Sequence, residues 1–388
     1  MKIAIITSGL LPVPAVSGGA IETLIDNFIK QNEIEKKTNI DIYSIYNLKS
    51  KKIINKNEYK YTKYIYINPL GNMMLKVINK IFKKNIQTNL LYQKEILKII
   101  NKKQYDYIII ENYPELVLNI NSTKIIPYIH SDVFNIETKN AKEILSKSYK
   151  VISVSDFIKK RIIEIDKKQE NKVYTVYNSI DFGNIENDDY EIYRKEYRGK
   201  YHIGKEDFVF CYSGRISPEK GVLELVRAFK KSNIQGSKLL LVGGIWYGCN
   251  KSNDYLEKIK KEANKNTIFA GYVTHKEMNK LLCATDVGVV PSICNEAAGL
   301  SVVEFMNTGN IVVASNMGGI GEYLNKEDNY LVDYRNTDQF INDLSDTMKK
   351  TYDEKIKNER IKKSNIIFSR KFSVSENYNE VIKVLKER

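Results

Sequence analysis

Short, continuous apolar runs alternate with longer amphipathic segments along nearly all of the 388 residues. The runs are rich in β-branched and aromatic residues, which is typical of parallel strands covered on both faces. We predict strands at Lys2–Thr7, Ile40–Ile45, Tyr64–Ile67, Tyr107–Glu111, Ile125–His130, Val151–Val154, Val173–Tyr177, Phe208–Ser213, Lys238–Val242, Thr267–Ala270, Val287–Pro291 and Ile311–Ser315. We predict helices at Gly19–Gln31, Met73–Lys102, Asp156–Asp166, Gly221–Ser232, Asn253–Asn264 and Ser301–Thr308. Strands and helices in alternation predict an α/β fold with right-handed crossovers.

The alternation restarts once along the chain, after a polar, highly charged stretch at 183–205. The first set of strands ends near Tyr177, and Phe208 opens the second set. We therefore predict two doubly wound, Rossmann-like domains with a cleft between them, and place the boundary between residues 182 and 183.

Positive charge is concentrated near the N-terminus. The chain has 61 Lys and Arg against 47 Asp and Glu, a net charge of +14, and residues 1–104 alone hold 18 basic and 7 acidic side chains. A partner that attracts cations is therefore expected at this quarter of the chain. A membrane surface, a nucleic acid or an acidic substrate would each meet that description.

Several classes of protein are excluded. The four cysteines and three histidines have no metal-binding spacing and no disulfide framework, which excludes a structural zinc site and a stapled secreted domain. No window reaches the roughly 20 apolar residues of a spanning helix. The uncharged segment at 3–21 resembles a signal peptide, but Pro12, Pro14 and the Gly18–Gly19 pair interrupt its apolar run. We therefore predict a cytoplasmic protein.

Three loops that each follow a predicted strand and open a helix carry chemistry. The first contains Gly18 and Gly19, which would let an anionic ligand approach the bare amides of a helix N-terminus; an ordinary flexible loop is the alternative. The loop is too long for a dinucleotide fingerprint. The second loop contains Gly214, Arg215 and Lys220. Its two cations form a plausible clamp for a diphosphate, although two solvated cations would give the same pattern.

The third loop contains two acidic residues that flank a glycine at a strand–helix junction. Glu296 precedes the helix, and Glu304 lies in its first turns. Gly299, Leu300 and Ser301 between them would offer unpaired amides to a phosphate, with Glu304 within reach of an attached ribose. Another glycine-rich loop, Gly318–Glu322, follows the next strand.

In this order the motifs resemble glycosyltransferase family 4, retaining nucleotide-sugar enzymes of the GT-B architecture. The landmarks are the early glycine pair, His130, the Ser213–Gly221 segment, the acidic pair eight residues apart, and the Gly318–Glu322 loop. Two segments, 11–20 and 242–248, look nearest to the subgroup with spore-coat and capsular-polysaccharide transferases.

The resemblance implies roles for individual residues. It implies that Gly18 and Gly19 close over the donor phosphates, that Arg215 and Lys220 neutralise the diphosphate, and that His130 lies near the reacting sugar. Further donor contacts are implied for Glu296 (transferred sugar), Glu304 (ribose), Tyr272 and Val273 (base), and Gly299, Leu300 and Ser301 (phosphate). It also implies an acceptor-side domain at 1–182, a donor-binding domain at 183–372, and a final helix, 373–388, that crosses back to the first domain.

The implied reaction is transfer of a hexose from a nucleoside diphosphate, taken to be UDP, to a lipid-linked or envelope-polysaccharide acceptor. Cations and helix amides would stabilise the charge of the leaving diphosphate. Because no acidic DxD motif is present, we expect no metal and no other cofactor. A phosphorylase would need pyridoxal phosphate and a longer chain. A sugar-nucleotide epimerase or a catalytically inactive coat or scaffold protein of the same fold remains an alternative.

The predicted helix at 73–84 carries apolar residues on one side and Lys76, Lys80, Lys83 and Lys84 largely on another. It is either a surface helix with a solvated lysine face or a peripheral contact with an anionic membrane at the inner face of the cell membrane. A single interleaved aromatic and no recognised nucleic-acid module argue against a nucleic-acid partner.

Overall fold

The computed structural model describes residues 1–16, 18–67, 90–182, 187–244, 253–353 and 358–387. The chain divides into two compact units, Met1–Ser179 with Val374–Arg388, and Ile180–Ser373. Each unit is an α/β structure around one parallel sheet, as the alternation of strands and helices predicts.

The first unit contains a seven-stranded parallel sheet with the order β3-β2-β1-β4-β5-β6-β7. Its strands are β1 (Lys2–Ile6), β2 (Asn39–Ile45), β3 (Thr62–Ile67), β4 (Tyr107–Glu111), β5 (Ile125–Ile129), β6 (Val151–Ser153) and β7 (Val173–Thr175). Its helices are α1 (Ala20–Glu35), α2 (Leu48–Lys56), α3 (Leu90–Ile100), α4 (Ala141–Lys147) and α5 (Asp156–Ile163). β1 lies in the centre of the sheet, where Ile3 pairs with Ile40 on one side and with Tyr107 on the other.

The second unit contains a six-stranded parallel sheet with the order β10-β9-β8-β11-β12-β13. Its strands are β8 (Phe208–Ser213), β9 (Ser237–Val242), β10 (Thr267–Gly271), β11 (Val287–Val290), β12 (Ile311–Ser315) and β13 (Tyr330–Val332). Its helices are α6 (Asn187–Lys200), α7 (Val222–Ser232), α8 (Asp254–Glu262), α9 (His275–Leu282), α10 (Leu300–Asn307), α11 (Thr337–Asp353) and α12 (Asn358–Ser369).

The core of the second unit explains why its strands are apolar on both faces. Phe210 on β8 and Leu239 on the neighbouring β9 are fully buried in one apolar cluster with α7 and α11. The next residues along these strands, Val209 and Leu240, which point to the other face, are also fully buried. A strand covered on both faces has no solvent-facing positions, so apolar residues are favoured at every position.

The last helix, α13 (Val374–Lys386), belongs to the first unit. The buried Tyr378 packs its ring 4.9 Å from that of Phe28 on α1, and its hydroxyl donates to Asn32 Oδ1 over 2.7 Å. Lys150 donates to the carbonyls of Val384 and Glu387 at the end of the helix, each over 2.7 Å.

Two segments add to or limit what the sequence predicts. The polar stretch at 183–205 contains α6, which Arg194 and Arg198 fasten to Asp286 through contacts of 2.7 and 3.0 Å. Only Leu90–Ile100 of the helix expected at 73–102 falls within the described residues; the lysine-rich segment at 73–84 lies outside them. No helix in the described part of the chain is both long and apolar enough to span a membrane.

Candidate functional site

The loop after β8 holds Arg215 in a defined place. Its main chain is fixed by the buried Tyr212, whose hydroxyl donates to the carbonyl oxygen of Arg215. The amide of Ile216 donates to the carbonyl of Gly244 over 3.0 Å, which ties this loop to the one after β9. The Arg215 guanidinium is partly exposed and lies 2.9 Å from Glu219 Oε1.

Glu219 is an acidic neighbour that sequence reasoning did not single out. Burial alone would raise its pKa, but a hydrogen bond from Ser217, over 2.7 Å, and the charges of Arg215 and Lys220 lower the pKa below its ordinary value. The carboxylate therefore stays ionised and orients Arg215.

Lys220 ends a short 3₁₀ turn, Pro218–Lys220, that leads into α7. Its Nζ lies 2.5 Å from Glu296 Oε1, and both side chains are about three-quarters buried or more, with 24% and 20% exposed. Ser292 donates to the same carboxylate oxygen over 2.7 Å. The structure thus brings together the predicted diphosphate lysine and the predicted sugar-side acid.

The glycine pair at Gly318–Gly319 supports Glu296 from behind. The amide of Gly319 donates to the carbonyl of Glu296 over 2.7 Å, and Gly318 forms an isolated parallel bridge with Glu296. Gly318 has a φ of +61°, and a Cβ there would lie 2.2 Å from that same carbonyl oxygen. Only glycine allows this approach, so the loop's role is to position the acid.

The N-terminus of α10 lies just beyond Glu296 in the chain. Gly299 precedes the helix, and no side chain among the described residues caps it. The first amides of a helix, here those of Leu300 and Ser301, have no partner within the helix and favour an anion. Glu304 follows one turn later and is partly exposed. This arrangement can hold a phosphate next to the Lys220–Glu296 pair.

Tyr272 and Val273 follow β10, at the carboxyl end of the same sheet. The amide of Gly243 donates to the carbonyl of Gly271 over 2.8 Å, and the amide of Gly214 donates to the carbonyl of Val242 over 3.1 Å. The ends of β10, β9 and β8 are therefore joined, and 39% of Tyr272 is exposed. Residues 245–248 of the glycine-rich segment after β9 lie outside the described residues.

The predicted residues of the first unit gather in a second cluster. Gly18 and Gly19 have φ values of +78° and +102° and lead into α1. Three residues on, Glu22 is 95% buried and turns back over this helix N-terminus, because its Oε2 lies 2.1 Å from where a Cβ of Gly19 would be.

His130 directly follows β5 and pairs with a carboxylate that the sequence analysis missed. Its Nε2 lies 2.7 Å from Glu111 Oε2, and both side chains are more than 90% buried. Tyr128 stacks on the imidazole with ring centroids 4.4 Å apart. Asn112 accepts from the amide of His130 over 3.0 Å. The position of Glu111 at the end of a buried strand is its one signal in the sequence, and that signal does not identify His130 as its partner.

The other ring nitrogen of His130, Nδ1, is buried and has no hydrogen-bond partner among the described residues. A pocket of about 20 Å³ adjoins His130, Glu111 and Tyr128, which is enough room for one water molecule. Burial raises the pKa of Glu22, a rise that the nearby His130 opposes. The contacts with Glu111 and Tyr128 therefore fix the orientation of the His130 ring.

A metal site is a separate question. Within the described part of the chain, no group of three or more His, Cys, Asp or Glu side chains could hold a metal ion.

The chain is similar in sequence and in fold to known glycosyltransferases. Residues 193–368 match the family model of glycosyl transferases group 1. The chain is 26% identical over 346 residues to the Bacillus subtilis glycosyltransferase YtcC. The alignment covers 84% of this chain and 78% of that protein. It is 24% identical over 371 residues to spore coat protein SA of Bacillus subtilis, with 90% and 91% covered.

Among solved structures, Anabaena Alr3699/HepE in complex with UDP-glucose superimposes with a TM-score of 0.72 over 99% of both chains, at 17% identity. The architecture is that of GT-B, which confirms the fold expected from the sequence. The match of residues 193–368 and the similarity to proteins named glycosyltransferase support a glycosyltransferase. The alternatives of an epimerase and an inactive scaffold gain no support from these matches.

Proposed function

We propose that this glycosyltransferase is a retaining member of family 4 that moves a hexose from a UDP-sugar to an envelope glycan or a lipid-linked acceptor. The observation that carries the proposal is the contact between Lys220 Nζ and Glu296 Oε1, 2.5 Å apart, next to the uncapped start of α10. A cation, an acid and the first amides of a helix at one sheet edge match what a sugar diphosphate needs.

In this proposal the second unit binds the donor. Arg215, Lys220 and the amides of residues 299–301 stabilise the negative charge that grows on the diphosphate as the glycosidic bond breaks. Glu304 holds the ribose hydroxyls, and Tyr272 and Val273 pack against the base. Glu296 contacts the transferred sugar.

The first unit then serves the acceptor side. Gly18 and Gly19 close over the donor phosphates, and His130 approaches the reacting sugar, oriented by Glu111. Attack by the acceptor from the face of the leaving phosphate would give retention without a covalent enzyme intermediate. Cations and amides of the chain itself stabilise the negative charge that develops on the diphosphate. The proposal therefore includes activity without a metal or other cofactor.

The choice of donor and acceptor rests on the relatives. HepE is described in complex with UDP-glucose, and relatives are named for spore coat and capsular polysaccharide. We extend these two properties to this chain, and with them a place at the cytoplasmic face of the membrane.

Incubation of the purified chain with a panel of nucleotide sugars, with and without membrane lipids, tests the proposal. We expect one UDP-hexose to be consumed, with the same rate in excess EDTA and with the anomeric configuration kept in the product. Glu296→Gln should lower turnover and spare UDP binding. Consumption without an acceptor product would indicate an epimerase, and UDP binding without any turnover an inactive protein.

A further inference from the structure

The first unit has an open groove that none of the donor-site residues lines. α2 and β3 form its walls, its volume is about 550 Å³, and its lining includes Lys51, Asn55, Tyr59, Lys60, Tyr64 and Tyr66. We call it the tyrosine groove. Its volume falls in the range of small-molecule sites.

Aromatic rings form a continuous row along the tyrosine groove. The ring centroids of Tyr59 and Tyr64 are 5.2 Å apart, edge to face, and those of Tyr64 and Tyr66 are 6.3 Å apart, stacked. Tyr46 extends the row, 5.8 Å from Tyr66. The three tyrosines that line the groove, Tyr59, Tyr64 and Tyr66, are half-buried, so each leaves part of its side chain exposed.

The walls of the groove are held in place before any ligand arrives. Glu33 on α1 accepts from the amides of Lys60 and Tyr61, over 2.7 and 3.1 Å, and from the Thr62 hydroxyl over 2.8 Å. On the other wall, Asn47 caps the start of α2. A preorganised site loses less entropy on binding than a mobile one.

The lining chemistry fits a carbohydrate. Sugar rings have apolar C–H faces that pack on aromatic rings and hydroxyls that bond to amide and charged side chains, and tyrosine supplies both kinds of contact. Asn55, Lys51 and Lys60 stand beside the row of rings. Lys60 faces Glu58 at 4.0 Å, which weakens the attraction for a polyanion such as a nucleic acid.

We propose that the tyrosine groove binds a sugar segment of the acceptor glycan, away from the bond that is formed. The inference rests on the proposed function in one respect: the bound oligosaccharide is called an acceptor because we assign acceptor binding to the first unit. The groove would hold a growing glycan between transfers and set which glycans are extended.

Fluorescently labelled full-length protein on an array of immobilised bacterial capsular and O-antigen oligosaccharides tests the inference, without any donor. We expect the wild type to be retained by a defined set of glycans. Tyr59→Ala should weaken that retention by about tenfold, as expected for the loss of one stacked ring. Asn55→Trp, an exposed substitution that fills the groove, should abolish it.

Two control variants match these changes. Tyr149→Ala removes another half-buried tyrosine from a loop that precedes a strand, with Tyr107 as its ring neighbour at 6.0 Å. Lys56→Trp adds the same bulk at the next position of α2, outside the lining. Both should bind glycans as the wild type does.

The array experiment distinguishes failure of the groove proposal from failure of the proposed function. The inference is overturned if the wild type retains no glycan, or if Tyr59→Ala and Asn55→Trp bind as tightly as their controls. Calorimetry with UDP on the same variants should show unchanged affinity. Glycan binding that depends on the groove, in a protein that turns over no nucleotide sugar, would leave the groove standing and remove the transferase proposal.

Discussion

Lys220→Ala is the sharpest test of the candidate donor site. The Lys220 side chain is 24% exposed and its Nζ touches Glu296 Oε1, so its charge is less screened by water than that of a surface lysine. Hydrogen bonds to charged groups contribute about 1.5–3 kcal/mol each. A diphosphate must compete with Glu296 for this lysine, which places the expected loss of UDP affinity near the lower end, about 1.5–2 kcal/mol or roughly 10- to 30-fold.

The competition makes a second variant informative. Glu296→Gln removes the negative charge that holds Lys220, so UDP affinity should stay the same or rise slightly. In the double variant the loss should be smaller than in Lys220→Ala alone, because no uncompensated carboxylate then faces the phosphates. A double-mutant cycle measures this coupling, which is typically at least about 0.5 kcal/mol for residues in contact.

Isothermal titration with UDP provides all four affinities. Thermal unfolding of each variant controls for folding. A change within about twofold of the wild-type affinity is close to the precision of the assay. If Lys220→Ala binds UDP within that range, the lysine does not contact the diphosphate and the donor site lies elsewhere.

Three further predictions concern the first unit and the basic segment. Glu111→Gln should lower kcat at least about tenfold and shift its pH profile, with UDP affinity unchanged, because the carboxylate orients His130; an unaltered kcat would exclude this positioning role. Glu22→Gln should raise the thermal unfolding midpoint at pH 7, since burial raises the pKa of Glu22 and its ionised form therefore costs stability above that pKa. The gain should vanish near pH 4, where both side chains are neutral, and a gain of equal size at both pH values would contradict the burial argument. Vesicle flotation should show salt-sensitive binding of the protein to anionic vesicles but not to neutral ones. Substitution of Glu for four lysines should abolish this binding: Lys76, Lys80, Lys83 and Lys84. Equal, weak flotation with both vesicle types at low salt would indicate a solvated lysine face.

The strands were predictable because burial on both faces leaves a strong local signal. Tyr107–Glu111, Phe208–Ser213 and Ile311–Ser315 match the observed β4, β8 and β12 at both ends. The helix α6 was missed because it is polar and highly charged, with four acidic and four basic side chains. Its attachment depends on Arg194 and Arg198 reaching Asp286, 92 and 88 residues further along the chain. Propensity within a window cannot reveal a contact of that kind.

The candidate site shows the same division. The positions of Arg215, Lys220 and Glu296 in strand–helix loops were apparent, because parallel strands bring such loops to one edge of a sheet. The pairing of His130 with Glu111 was not, since a glutamate at the end of a buried strand has no local pattern that distinguishes a partner from a solvated side chain.

The close contact between Lys220 and Glu296 has a main-chain cause on each side. Next to Lys220, a Cβ on Gly221 would lie 1.9 Å from the carbonyl oxygen of Pro291, so the turn after β8 packs directly on the loop after β11. Behind Glu296, Gly318 allows the loop after β12 to approach just as closely. The two charged side chains therefore project from two loops whose backbones are in direct contact, and the loop after β12 supports the second of them. Gly221 and Gly318 therefore act on the site through the backbone contacts that they allow. The absence of their side chains sets the distance between Lys220 and Glu296, so these glycines need not contact a phosphate themselves.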